Sequence, residues 1–320
     1  MNWGFRQGSG AKPSELDVIL NFGGLGDMVC RLPALKQLLA IPHVQAKVYV
    51  PAYFMDVAFN ALGQGAPLLS LDQAPKPPVE KPTIDFTPYT FTSMRMHLVQ
   101  NGFLTLLDFV PALDSDEARY LKLDLSQVDI RPFQLPAAYA VITTGHTAPV
   151  REFLPSTVNT VVEYCRAIGL APVFLGAGSA PIEGGLRIDA SFSAEIDYSK
   201  GLDLIDKTSL MQAAKIMAEA KFVVGVDNGL IHVAGMTDVP IVVGYTSTTA
   251  DSRLPLRGKR APTIAVLPRE LECVGCQTRM PFVYKHDFRR CFYGDYKCVS
   301  GVTPGLFIEA IKRVMGGRQW

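Results

Sequence analysis

The sequence predicts an α/β chain of two doubly wound domains facing each other across a cleft. Three observations predict it. Short apolar runs alternate with amphipathic helical stretches, the runs end in glycine-rich or polar turns, and the pattern stops in a proline-rich passage before starting again. A length of 320 residues exceeds the usual size of one hydrophobic core. The blocks are therefore placed as domains at 1–135 and 136–320, the second carrying a cysteine-rich segment at 273–298.

In the first block, Asp17–Phe22 reads as a strand that enters the turn Gly23-Gly24-Leu25-Gly26-Asp27. A helix follows, with Val29, Leu32, Leu35, Leu38 and Leu39 on one face. Lys47–Val50 is the next strand and Tyr53–Leu62 a helix. From Gln73 to Tyr89 the chain carries Pro75, Pro77, Pro78, Pro82 and Pro88, which predicts a loop or linker. A helix is expected over Ser93–Val110, and Leu121–Pro136 reads as the crossing between halves. The second block restarts with the strand Tyr139–Thr143, the polar turn Thr144-Gly145-His146-Thr147 and the helix Thr157–Ile168. Pro172–Leu175 is a strand ending in Gly176-Ala177-Gly178-Ser179, and Ser209–Ala220 is an amphipathic helix. The buried strand Phe222–Val226 then meets the turn Asp227-Asn228-Gly229, a short helix, and the strand Val239–Gly244.

Hydrophobic residues make up 48% and charged residues 19%, which describes a well-packed globular protein. A formal charge of +1 and a pI near 7.6 argue against a large nucleic-acid footprint. No apolar run approaches the roughly 20 residues that span a bilayer. The opening MNWGFRQGSGAKPSELD has no apolar core of a secretory signal, so a loose leader and a cytoplasmic location are expected.

The turn after Val226 is the most informative feature. It offers free backbone N–H groups at a helix N-terminus, a ready phosphate site, with Asp227 and His232 alongside to read a ribose or sugar. An ordinary connection with a capping Asp or Asn would look the same. Gly23–Asp27 is neither a dinucleotide fingerprint, which would need glycine where Val29 stands, nor a phosphate-binding P-loop. Its glycines let a ligand approach the backbone, and Asp27 could take a proton from an attacking hydroxyl, or simply cap the helix. Arg151, before a proline-headed helix, could hold a diphosphate or lie in solvent. The turn Gly244-Tyr245-Thr246-Ser247-Thr248-Thr249 supplies hydroxyls and N–H groups suited to phosphate or ribose.

Six cysteines occur, and four of them, Cys273, Cys276, Cys291 and Cys298, cluster near the end. The Cys273-x2-Cys276 pair has zinc-ribbon or iron-site spacing, and four thiolates close a tetrahedral structural site. Fe and Zn both fit, as does a mixed set using His286 or a coincidental cluster of free thiols.

Together these motifs resemble glycosyltransferase family 9, the heptosyltransferase family with a GT-B fold. The residues carrying the resemblance are Gly24-Leu25-Gly26-Asp27 with Pro33 and Leu35, Arg151 to Pro155, Asp203 to Leu210, Asp227-Asn228-Gly229-Leu230-x-His232, and Gly244-Tyr245-Thr246. The chain departs from the family pattern in having Asn228 for Thr or Ser, Arg151 for lysine and Tyr245 for phenylalanine. The four-cysteine tail is similar to that of members modifying protein surfaces, where a cysteine-bound iron is associated with the fold.

The resemblance implies an inverting transfer of a sugar, typically heptose, from an ADP-sugar to an acceptor hydroxyl. The C-terminal domain would hold the donor through Thr144, Arg151, Asp227, Asn228, Gly229, His232 and Thr246. The N-terminal domain would hold the acceptor near Gly24, Gly26 and His97, with Asp27 as the base. No catalytic metal is implied, and a homo-oligomer is compatible. The acceptor could be a glycan, a protein hydroxyl or a modified nucleobase. The rival classes are a non-catalytic sugar-nucleotide or metal-stapled module and, lacking its glycine fingerprint, a nicotinamide-linked oxidoreductase.

Overall fold

The computed structural model describes residues 15–20, 24–42, 44–75, 83–85, 120–144, 148–177, 195–255, 257, 260–279 and 290–316. The chain divides into two compact units, Met1–Gln127 and Val128–Trp320. The division falls inside the crossing segment expected at Leu121–Pro136, somewhat before residue 135.

The first unit holds β1 (Glu15–Ile19), α1 (Leu25–Leu39), β2 (Gln45–Val50), α2 (Met55–Leu62), β3 (Leu68–Ser70) and β4 (Thr83–Asp85). They form a parallel sheet in the order β3-β2-β1-β4. Leu16 and Val18 of β1, Val48 and Val50 of β2, and Leu32, Leu35 and Leu38 of α1 are buried, as the apolar spacing predicts. β4 overturns part of the loop reading over Gln73–Tyr89, because Thr83–Asp85 pairs with Asp17–Ile19. The three residues Thr83–Asp85, among the five between Pro82 and Pro88, suffice for a short ladder, so local proline density was a poor guide. The helix expected over Ser93–Val110, with His97, lies outside the described residues.

The second unit runs through β5 (Tyr139–Thr143), α3 (Pro155–Ala167), β6 (Ala171–Leu175), β7 (Leu202–Asp203), α4 (Leu210–Glu219), β8 (Val223–Val226) and α5 (Gly229–Gly235). It continues through β9 (Ile241–Gly244), α6 (Ala250–Arg253), β10 (Thr263–Val266), α7 (Cys276–Arg279), α8 (Lys297–Gly301) and α9 (Pro304–Met315). The strands make a parallel six-stranded sheet, β10-β9-β8-β5-β6-β7. Counted from β5, this is the 3-2-1-4-5-6 order of doubly wound nucleotide-binding sheets, and the order reverses between β5 and β8. Strands β5, β8 and β9 are buried along their whole length, which matches their uninterrupted apolar sequences.

Helix α4 starts where Ser209 accepts from the Gln212 N–H and Gln212 Oε1 accepts from the Ser209 N–H. Helix α9 closes the core: Phe307 and Ile311 are fully buried, and the Phe307 ring meets Phe153 edge-on at 4.8 Å. Each such side chain contributes about 1.5–3 kcal/mol through burial. The short strands β3, β7 and β10 were not legible as separate elements, since they are mostly half-buried and lack the continuous apolar run of β8 and β9.

Candidate active site

The crevice at a reversal of strand order is where ligands meet such sheets, and here it lies at the carboxyl ends of β5 and β8. Those strands are brought close by Gly225. A Cβ there would lie 1.9 Å from Thr143 Oγ1 and 2.8 Å from Ile231 Cδ1, so only glycine fits. Asn228 then caps α5: its Oδ1 accepts from the Ile231 N–H at 3.1 Å, and its Nδ2 donates to Thr143 Oγ1 at 3.3 Å. Both ends of this side chain serve the fold, so the capping alternative describes Asn228. Gly229 is the first residue of α5.

Asp227 follows β8 and is 2% exposed. Its Oδ2 accepts from Thr248 Oγ1 at 2.7 Å and from Arg151 Nη1 at 3.3 Å. His232 Nε2 stands 3.7 Å from Asp227 Oδ1, beyond hydrogen-bond length, so that contact is electrostatic. Burial opposes the carboxylate's charge, but His232, Arg253 and Arg151 outweigh it and hold the group well below the usual carboxylate range. Asp227 and His232, expected near the sugar, lie in the buried part of the cluster. Both are 2% exposed, and the charge of Asp227 is directed into the protein, where it anchors Arg151. Arg151, with 14% of its side chain exposed, keeps access to solvent.

Thr246, expected at the donor, donates its hydroxyl to the Val150 carbonyl, next to Arg151. Thr144 accepts a 3.3 Å hydrogen bond from the hydroxyl of Tyr198, whose ring packs edge-on against Phe174 at 5.1 Å. Three residues of this neighbourhood were not singled out in the sequence. Thr248 was legible only as one hydroxyl in a polar turn, and Tyr198 and Arg253 carried no signal.

In the first unit, Asp27 sits in the opening turn of α1 and accepts from the Gly24 N–H at 2.8 Å. Gly24 is exposed ahead of the helix, whereas Gly26 is buried within it. The carboxylate therefore caps the helix, where its charge suits the N-terminal end of the helix dipole.

The cysteines are gathered by two tight turns. The Cys276 N–H donates to the Cys273 carbonyl at 3.0 Å around Gly275, at φ +73°, and the Gly294 N–H donates to the Cys291 carbonyl at 3.1 Å. Cys298 lies on α8. Burial pushes the Cys276 thiol up to about 11, with Cys273 and Cys291 adding to it. Burial likewise pushes Cys298 up to about 12, with Cys273, Cys276 and Cys291 adding. Cys273 is raised in the same way, by burial first and by Cys291 next. Sulfur is the donor type that Zn and Fe take. Among the described residues no group of three or more His, Cys, Asp or Glu stands at metal-ligand spacing, and His286 lies outside them.

The parallel α/β sheets are those of the GT-B fold. The family model described as glycosyltransferase family 9 (heptosyltransferase) matches residues 121–281, and the chain belongs to that family. Its fold is similar to that of the iron-containing dodecameric glycosyltransferase TibC from enterotoxigenic E. coli H10407, with a TM-score of 0.73 and 16% identity over 95% of this chain and 76% of that one. A second TibC structure, in complex with ADP-D-beta-D-heptose, gives a TM-score of 0.71 at 16% identity, with the same coverage of 95% and 76%. The E. coli ADP-heptose lps heptosyltransferase II gives 0.61 at 14% identity, over 95% of this chain and 99% of that one. Comparison with curated proteins found no match. Among the described residues, no helix is long and apolar enough to cross a membrane.

Proposed function

We propose that this protein is an inverting glycosyltransferase that moves a sugar, heptose, from an ADP-sugar to an acceptor hydroxyl. The observation that carries the proposal is the Arg151–Asp227 pair at the strand reversal of a nucleotide-binding sheet. The carboxylate holds a guanidinium that retains solvent access, and a guanidinium suits the two phosphates of a leaving ADP. The backbone N–H groups around Asn228 and Gly229 would face the same diphosphate, and Thr144 would border it. The second unit is accordingly the donor domain and the first the acceptor domain, with Gly24, Gly26 and His97 on the acceptor side.

In the proposed step Asp27 takes the proton of the acceptor hydroxyl as its oxygen bonds to the anomeric carbon. The bond from that carbon to the ADP oxygen breaks on the opposite face, and its electron pair leaves with the diphosphate. Arg151 stabilises that developing charge; removing one such preorganised donor commonly costs about 100- to 1000-fold. A single displacement inverts the anomeric centre.

Cys273, Cys276, Cys291 and Cys298 would hold one structural Fe or Zn, a part of the proposal supported by the spacing of the first pair in the sequence and by the thiol donor type. When bound, the ion would cross-link the segments that carry the cysteines. Free cysteines suit a reducing compartment such as the cytoplasm. Self-association into a homo-oligomer, the state named for TibC, belongs to the same proposal and is read from the mass in solution.

The decisive experiment mixes the protein with ADP-heptose and follows release of ADP and heptose by mass spectrometry, for wild type and Asp27→Asn. Slow donor hydrolysis by wild type, lost in the variant while ADP binding is retained, supports the assignment. Equal turnover by both removes Asp27 as the base, and absence of ADP binding in wild type removes the donor site.

A further inference from the structure

The loop Thr246–Thr249 touches two things at once. Its hydroxyls face the candidate site, Thr248 bonding Asp227 and Thr246 bonding the Val150 carbonyl beside Arg151. Its backbone carbonyls face the cysteine turn. The Gly275 N–H donates to Thr246 O at 2.8 Å, and the Gln277 N–H donates to Ser247 O at 2.8 Å. Thr278 Oγ1 adds contacts to Thr249 Oγ1 at 3.3 Å and to the Gly275 carbonyl at 2.9 Å. Thr246, Ser247, Thr248, Gln277 and Thr278 are each no more than 3% exposed. Water is therefore a poor substitute for these bonds.

We propose that the turn from Cys273 to Arg279 is a brace that positions the candidate donor site, with Gly275, Gln277 and Thr278 acting on Arg151 and Asp227 through the Thr246–Thr249 loop. Gly275 shows how closely the two segments are fitted. Its φ of +73° admits few side chains, and a Cβ there would lie 2.3 Å from Thr249 Cγ2. The same glycine makes the turn that sets Cys276 beside Cys273, so one residue serves both the thiol arrangement and the loop contact. Whatever stiffens or loosens the cysteine turn, by cation binding or thiol modification, reaches Arg151 through two hydrogen-bonded layers. That a diphosphate feels the change rests on the function proposed above; the brace does not.

The test uses the full chain, with Thr278→Val and Gly275→Ala variants and wild type treated with iodoacetamide. Amide hydrogen exchange is read at Gly275, Gln277, Arg151 and Asp227, and ADP affinity by calorimetry. The brace predicts faster exchange at Gly275 and Gln277 that extends to the Arg151 and Asp227 amides, which donate to Ala148 O and Gly244 O. It also predicts ADP binding about fivefold weaker, with β5 amides still protected. Faster exchange confined to Gly275 and Gln277, with Arg151 and Asp227 as in wild type, overturns it. If Gly275→Ala does not fold, Thr278→Val decides. If wild type itself binds no ADP, the proposed function fails, and exchange at Arg151 still decides the brace.

Discussion

Thr248 Oγ1 donates a 2.7 Å hydrogen bond to Asp227 Oδ2, tying together the loops that leave the neighbouring strands β9 and β8. The bond is fully buried and charge-assisted, the class in which a hydroxyl contributes most. Ser247, one residue earlier, is as deeply buried, yet its Oγ has no hydrogen-bond partner among the described residues.

That contrast makes a paired prediction. Thr248→Val should cost about 2 kcal/mol, because it strands a buried charged acceptor. Ser247→Ala should stay within about 0.5 kcal/mol of wild type, since no bond is lost. Urea unfolding of both variants measures the difference, and equal losses would show that the Thr248 bond contributes nothing.

Asp227 predicts a pH dependence of definite sign. Its folded pKa lies well below the ordinary 3.8, so its stabilisation is present above that value and is lost as pH falls through the folded pKa. Asp227→Asn should be less stable than wild type at neutral pH, and the gap should close in the acid range below 3.8. Unfolding at a series of pH values checks this; a gap that widens with acidification would reverse the assignment.

Gly225→Ala places a methyl group 1.9 Å from Thr143 Oγ1, between two strands with no slack. A loss of about 3 kcal/mol is expected, at the upper end for overpacking. A melting temperature equal to that of wild type would mean that β5 and β8 can part without cost.

Arg151→Ala should weaken ADP binding by about tenfold or more, the worth of a charged hydrogen bond. Arg151→Lys should fall between, since an ammonium keeps the charge and loses the two-pronged geometry. Calorimetry with ADP reads both, and an Arg151→Ala protein that binds ADP as wild type does would move the diphosphate elsewhere.

Much of the fold was legible because uninterrupted apolar runs end in glycine or polar turns and amphipathic helices repeat their period. β5, β8, β9, α1 and α4 lie where the periodicity places them. β4 was not, because its three residues sit among prolines and gain their ladder from β1, a partner distant in sequence. α9 does carry the helical period in Phe307, Ala310, Ile311 and Val314, and only its place against Phe153 depends on the tertiary structure.

The site divides along the same line. By itself the sequence determined that Arg151, Asp227, Asn228, His232 and the hydroxyl turn after Gly244 stand at strand ends, since strand ends follow from local pattern. Tertiary structure alone decided what each atom does there. Asn228 became a cap, Asp227 an anchor for Arg151, and Thr248 the hydroxyl that holds Asp227. Only tertiary structure set the cysteine turn against the loop carrying Thr248. Those roles depend on distances of a few ångströms between segments far apart in the chain, and no local periodicity encodes such distances.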